Sequence, residues 1–98
     1  MLIVIGTARS APGRRDELVA AARRMSEATL RETGCRSYGF YADLTDPDTI
    51  VGVEVWDSQD ALDEHMGRPH TRDFLAQAPA LVSSEPTMTI HRVIDDQG

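Results

Sequence analysis

The sequence predicts a single α+β domain in which helices cover one face of a four-stranded antiparallel sheet, in the ferredoxin-like order β-α-β-β-α-β. Three observations predict it. Segments with strand periodicity or Ile/Val enrichment fall at 2–8, 36–43, 49–56 and 87–94, and amphipathic helical segments follow the first and third of them. The second and third strands are joined only by a short Thr45-Asp-Pro-Asp48 turn, so they form an antiparallel hairpin. With 98 residues the chain has room for one domain, 1–98, which buries roughly two thirds of its unfolded surface at best.

Each element has its own reason. Residues 2–8 are an apolar run that ends at Ser10-Ala-Pro-Gly13, a strand followed by a break. Asp16 and Glu17 suit the first turn of the helix that follows, Leu18, Ala22, Met25 and Thr29 form its apolar stripe, and Gly34 stops it. In the second strand Tyr38, Phe40 and Ala42 share one face, opposite Ser37, Gly39 and Tyr41. In the third, Val51, Val53 and Val55 share one face, opposite Ile50, Gly52, Glu54 and Trp56.

Ser58 is placed to cap the next helix, whose stripe carries Ala61, Leu62, His65 and Met66. Gly67 breaks it, and Pro69 begins a further helical segment with Phe74, Leu75, Ala78 and Leu81 on its apolar side. Residues 87–94 form the last strand, and 95–98 read as a frayed polar tail. Neither face of the third strand reads as solvated. Helices cover the Glu54 face, and a second copy of the sheet is expected over the valine face, giving a two-fold homodimer.

Composition excludes several function classes. A formal net charge of −6 disfavours nucleic acid as a partner. No long apolar run and no basic-then-apolar leader is present, so neither membrane insertion nor a signal peptide is expected, and the location expected is cytoplasmic. All ten basic residues are Arg, which removes lysine chemistry. The lone Cys35 excludes an internal disulfide and a cysteine metal cluster, and reads as a small buried hydrophobe. There is no glycine-rich phosphate loop and no Gly-x-Ser-x-Gly elbow.

Chemistry-bearing side chains concentrate where the third strand meets the second helix. Glu54 and Trp56 share a strand face, and His65 looks inward from the helix towards it. Imidazole changes charge near neutrality, so an inward His65 suits proton abstraction, with Glu54 orienting it; a structural histidine bonded across to the strand has the same geometry. Trp56 reads either as a stacking wall for an aromatic ligand or as core, and Tyr38 and Phe40 either line the same cleft or pack. His70, near a helix start, donates to a substrate oxygen or caps the helix. His65 and His70 are five apart and do not share a face of one helix, so no metal site is expected.

Gly34-Cys35, Asp46-Pro47, Glu54-Val-Trp56-Asp-Ser58, Ala61-Leu62, His65, Pro69-His70 and Phe74 together give a pattern that resembles the antibiotic biosynthesis monooxygenase family. The resemblance spans nearly the whole chain and implies a dimeric α+β barrel. It further implies a pocket between sheet and helices that binds a small aromatic phenol, quinol or anthrone-type substrate and molecular oxygen, with no cofactor. On that reading His65 and Glu54 are catalytic, and Trp56, Phe74, His70, Tyr38 and Phe40 bind substrate. Two departures stand out. Gly52 occupies the place where some oxygenases of the group carry an amide, and Gly6-Thr7 and Leu75 stand where the haem-degrading branch has Asn and His, so haem cleavage is not expected. Competing readings of the same fold are an isomerase of a small hydroxyketone and a non-catalytic ligand-binding or structural dimer.

Overall fold

The computed structural model describes residues 1–94; the tail expected to fray, 95–98, lies outside the described residues. Seven elements follow in the order β1 (Leu2–Arg9), α1 (Arg15–Thr29), β2 (Cys35–Ala42), β3 (Thr49–Trp56), α2 (Gln59–Met66), α3 (Pro69–Leu81) and β4 (Thr87–Arg92). The strands form one sheet in the order β2-β3-β1-β4, and every neighbouring pair is antiparallel. This is the expected ferredoxin-like α+β arrangement, with the second helical layer split in two.

Residues opposite one another on adjacent strands share a face, so the register says what each face contains. Leu2 pairs with Trp56, Val4 with Glu54, Gly6 with Gly52 and Ala8 with Ile50, and this is the face the helices cover. Leu2, Val4, Trp56, Met25 of α1, Leu62 of α2 and Tyr38 of β2 form one buried cluster. Leu18 and Ala21 of α1 join Ile50 and Leu81 in a second. The opposite face pairs Ile3 with Val55, Ile5 with Val53 and Thr7 with Val51, and among the described residues no helix lies over it. Ile5 is 38% exposed there and the three valines are half-buried.

Local chemistry fixes the helix ends near the site. The buried positions of α1, Leu18, Ala21, Ala22, Met25 and Thr29, follow helical spacing. The helix ends at Thr29, before Gly34, and a turn through Leu30–Thr33 follows. Gly34 has φ +89°, and a Cβ there would lie 2.6 Å from Cβ of Ala61. A glycine is therefore needed both for the left-handed turn and for close approach to α2. The Gly34 carbonyl accepts from the Asp57 amide at 2.8 Å, which docks the turn on the end of β3.

Ser58 caps α2, its hydroxyl accepting from the Ala61 amide at 3.2 Å. Gly67 ends that helix, Arg68 is extended as a residue before proline must be, and Pro69 starts α3. Two members of the expected stripes are not buried: Met66 is 41% and Leu75 47% exposed. Both stand on the rim of a cavity, which is why a helical stripe continues there without a core to face.

Candidate active site

Between the inner face of the sheet and the helices lies a cavity of about 320 Å³. β2 and β3 contribute Tyr38, Phe40 and Glu54, and the helices contribute His65, Thr71 and Phe74. Most of the lining is apolar. Met66, Leu75 and Met88, all more than two-fifths exposed, rim the opening. A more open depression between α1 and β2 holds Arg15, Arg23 and Glu27 at its edge and no histidine.

His65 is the centre of the polar end. Its side chain is only 3% exposed, and its Nδ1 lies 2.7 Å from Oε2 of Glu32. The same oxygen lies 2.8 Å from Nε2 of His70, and Oε1 of Glu32 lies 3.6 Å from Nε of Arg68. One oxygen shared by two ring nitrogens is satisfied when both donate, so the network places protons on Nδ1 of His65 and Nε2 of His70. The Thr71 hydroxyl lies 3.3 Å from Nδ1 of His65. In a neutral His65 the lone pair then sits on Nε2, 4.0 Å from Oε1 of Glu54 at the cavity end.

Glu54 is held by the indole of Trp56, whose Nε1–H donates to Oε1 at 2.9 Å. The Trp56 ring lies beneath the His65 ring at 4.6 Å between centroids, tilted 37°. Burial pushes the Glu54 carboxyl above its ordinary range, opposed by the Trp56 hydrogen bond and by His65. Burial likewise pushes the Tyr38 phenol far up, with Glu54 adding to the effect, so Tyr38 stays a neutral donor. The Cys35 thiol is half-buried and raised, chiefly by burial and then by Glu32 and Glu54, the opposite of an activated thiolate.

The Glu54 shift has a consequence for stability. With a folded pKa above the unfolded value of 4.5, its contribution is fully present below that value and lost as pH rises through the folded one. Glu54→Gln keeps an oxygen for the Trp56 indole and removes the buried charge. It should raise stability at pH 7 by of order 1 kcal/mol, with the gain gone by about pH 4. Urea unfolding of both proteins at the two pH values measures this; a variant less stable at pH 7 would contradict it.

The structure brings Glu54, His65, Tyr38, Phe40 and Phe74 to one cavity. It does not bring Trp56 or His70 there. Trp56 is wholly buried in the core cluster behind His65 and Glu54, so it supports the cavity wall without forming it. His70 turns towards Glu32, with its side chain 26% exposed. The expected pairing is also corrected: Glu32, not Glu54, bonds His65 at hydrogen-bond distance, because the Gly34 turn carries the α1–β2 connection up to α2. Its only trace in sequence is an acid two residues before a turn glycine.

The spacing argument against a shared histidine site fails geometrically. Gly67 and Pro69 separate α2 from α3, so His65 and His70 come from different helices and converge. Their ring nitrogens and a Glu32 oxygen all lie within 4.8 Å of one another. Among the described residues those three are the ones able to hold a divalent ion, and an ion would have to displace the protons between them.

Comparison with known proteins agrees with this architecture. The profile described as antibiotic biosynthesis monooxygenase matches residues 1–77. A Mycobacterium tuberculosis protein, Rv0793, provisionally named a monooxygenase, is 35% identical over 85 residues, covering 87% of this chain and 83% of its own. Its solved structure superposes with a TM-score of 0.91 at 32% identity, over 99% of this chain and 98% of that one. YgiN of Escherichia coli K12, named a probable quinol monooxygenase, is 30% identical over 84 residues, 76% of this chain and 81% of YgiN. An uncharacterized Synechocystis protein is 29% identical over 96 residues, and this chain spans 65% of its length. A family match over residues 1–77, from β1 through most of α3, places the chain in the antibiotic biosynthesis monooxygenase family.

Proposed function

We propose that this protein is a cofactor-independent monooxygenase that oxidises a phenolic, quinol or anthrone-type substrate with molecular oxygen. The observation that carries the reading is an apolar cavity with one polar end, where Nε2 of His65 lies 4.0 Å from Oε1 of Glu54, beside the neutral phenol of Tyr38. The name borne by YgiN supports the quinol class.

The substrate hydroxyl, or the enol form of an anthrone, gives its proton to Nε2 of His65. Glu32 on Nδ1 and Glu54 at 4.0 Å offset the imidazolium charge that results. The phenolate is electron-rich enough to pass an electron to oxygen, the phenoxyl radical and superoxide combine to a peroxide anion, and that anion takes the proton back from His65 to give a hydroperoxide. At an anthrone methylene, loss of water from that adduct leaves one oxygen atom of O2 as the new ketone and carries the other away. The protein binds the ring, takes the proton and keeps bulk water from the intermediates.

Among the described residues no helix is long and apolar enough to cross a membrane. We place the protein in the cytoplasm, as a homodimer joined through the uncovered sheet face, where Ile5 is exposed and Val51, Val53 and Val55 are only half-buried.

An oxygen electrode tests the chemistry. Purified protein treated with a chelator should accelerate oxygen uptake by an anthrone or hydroquinone well beyond autoxidation, by about a hundredfold or more at the base-catalysed step. Uptake matching the uncatalysed rate across a panel of such phenols would count against the oxygenase reading. Activity lost to the chelator and restored by zinc would instead assign a metal to Glu32, His65 and His70.

A further inference from the structure

Gly6 on β1 and Gly52 on β3 are register partners, and both line the cavity. In the same row Gly52 pairs with Phe40 on β2, and Gly6 pairs with Met88 on β4. Across all four strands the row therefore reads Phe40, Gly52, Gly6, Met88, with side chains at both ends and none between. The cavity floor thus has a low step across both glycines, bare at Gly6 and covered by the Phe40 ring at Gly52.

Glycine inside a strand weakens the strand, and it ordinarily marks a bulge, a close approach of another backbone, or a ligand. No bulge falls at either glycine: the β1–β3 pairing runs through both and the β1–β4 pairing through Gly6 without a shift, and the irregularity in the β2–β3 pairing lies away from them, between Cys35 and Ser37. Backbone crowding is also absent at Gly6, where an added Cβ would meet only the Thr87 carbonyl oxygen, at an ordinary 3.6 Å. At Gly52 an added Cβ would press on the Phe40 ring, at 3.0 Å from Cε1, because that ring leans over the step. Phe74 of α3 stands 6.0 Å from the Phe40 ring, centroid to centroid. The neighbouring row is Tyr38, Glu54 and Val4, so the polar end begins two residues along the strands, roughly 7 Å away.

We propose that the Gly6–Gly52 step is the seat for the flat, fused-ring part of the ligand. The rings lie parallel to the sheet on the bare backbone at Gly6, edged by the Phe40 ring that covers Gly52, their oxygen directed at Glu54 and His65, and Gly6 sets how wide a ring system is accepted. This rests on the cavity being the substrate site. Its chemistry is distinct from turnover, because seating needs no reaction.

Gly6→Ala and Gly6→Val test it, since the backbone there suits any residue and β-branched side chains favour strands. Binding is measured by equilibrium dialysis with two probes, a three-ring hydroxyanthraquinone, already oxidised, and one-ring phenol. Affinity for the three-ring probe should fall in the order Gly, Ala, Val, by about tenfold more than affinity for phenol in Gly6→Val. Equal losses for both probes, unchanged three-ring binding in a variant whose circular dichroism is native, or no three-ring binding by the wild type would each overturn the seat. Should Gly6→Val not fold, Gly6→Ala gives the same comparison with a smaller difference. A wild type that discriminates as expected yet consumes no oxygen would sink the monooxygenase reading and leave the seat standing.

Discussion

His65→Ala slows oxygen uptake with a phenolic substrate by about a hundredfold or more, the usual worth of a positioned general base. The ring removed is the one whose Nε2 lies at the polar end of the cavity and whose Nδ1 is fixed by Glu32 at 2.7 Å. The loss should fall on kcat, because the apolar lining that holds the substrate is left in place. Truncating a side chain that is 3% exposed and stacked on Trp56 also opens a void, so some stability is lost, and circular dichroism must show the variant folded. That void permits a sharper check. Added imidazole should restore part of the rate in His65→Ala and none in the wild type. Glu32→Gln should slow the reaction less than His65→Ala does, since an amide still accepts from Nδ1 but no longer offsets the imidazolium charge. A folded His65→Ala with the wild-type rate would remove His65 as the base.

Much of this site was legible before the structure, and what was hidden was hidden for physical reasons. Strand alternation put Glu54 on the helix side and the valines on the other, and β3 keeps the boundaries that alternation gave, Thr49–Trp56. Alternation reports the face of a residue and not its depth. Trp56 ends its strand under α2, against Leu2 and Leu62, while Glu54 one pleat earlier reaches the cavity. Ser58, Gly67 and Pro69 announced the cap and the break. The break changes which faces His65 and His70 present, so a spacing argument for one continuous helix did not apply to them. Glu32 is the largest omission. It meets its histidines across sequence separations of 33 and 38 residues, through a contact that exists because Gly34 lets a turn lie against Ala61. Beyond an acid two residues before a turn glycine, local pattern carries no trace of such a contact.

Val53→Asp converts the protein to monomer at micromolar concentration. Val53 lies mid-sheet on the face no helix covers, between Ile5 of β1 and Gly39 of β2 in the pairing register. A carboxylate buried there by a second copy would have no cation in its row and would cost several kcal/mol if it stayed ionised. Two-fold symmetry places that cost in the interface twice. In a single chain the same residue is only half-buried beside a glycine, so the isolated fold can leave the charge in water. Dissociation, rather than unfolding, is therefore the cheaper response. Sedimentation velocity on wild type and variant separates the possibilities. A wild type that is already monomeric at micromolar concentration removes the dimer altogether, whereas a dimer that survives Val53→Asp must be joined through some other surface. In that second case the exposure of Ile5 and the half-exposure of the three valines would still require a cover, since a contiguous apolar sheet face is seldom left to solvent.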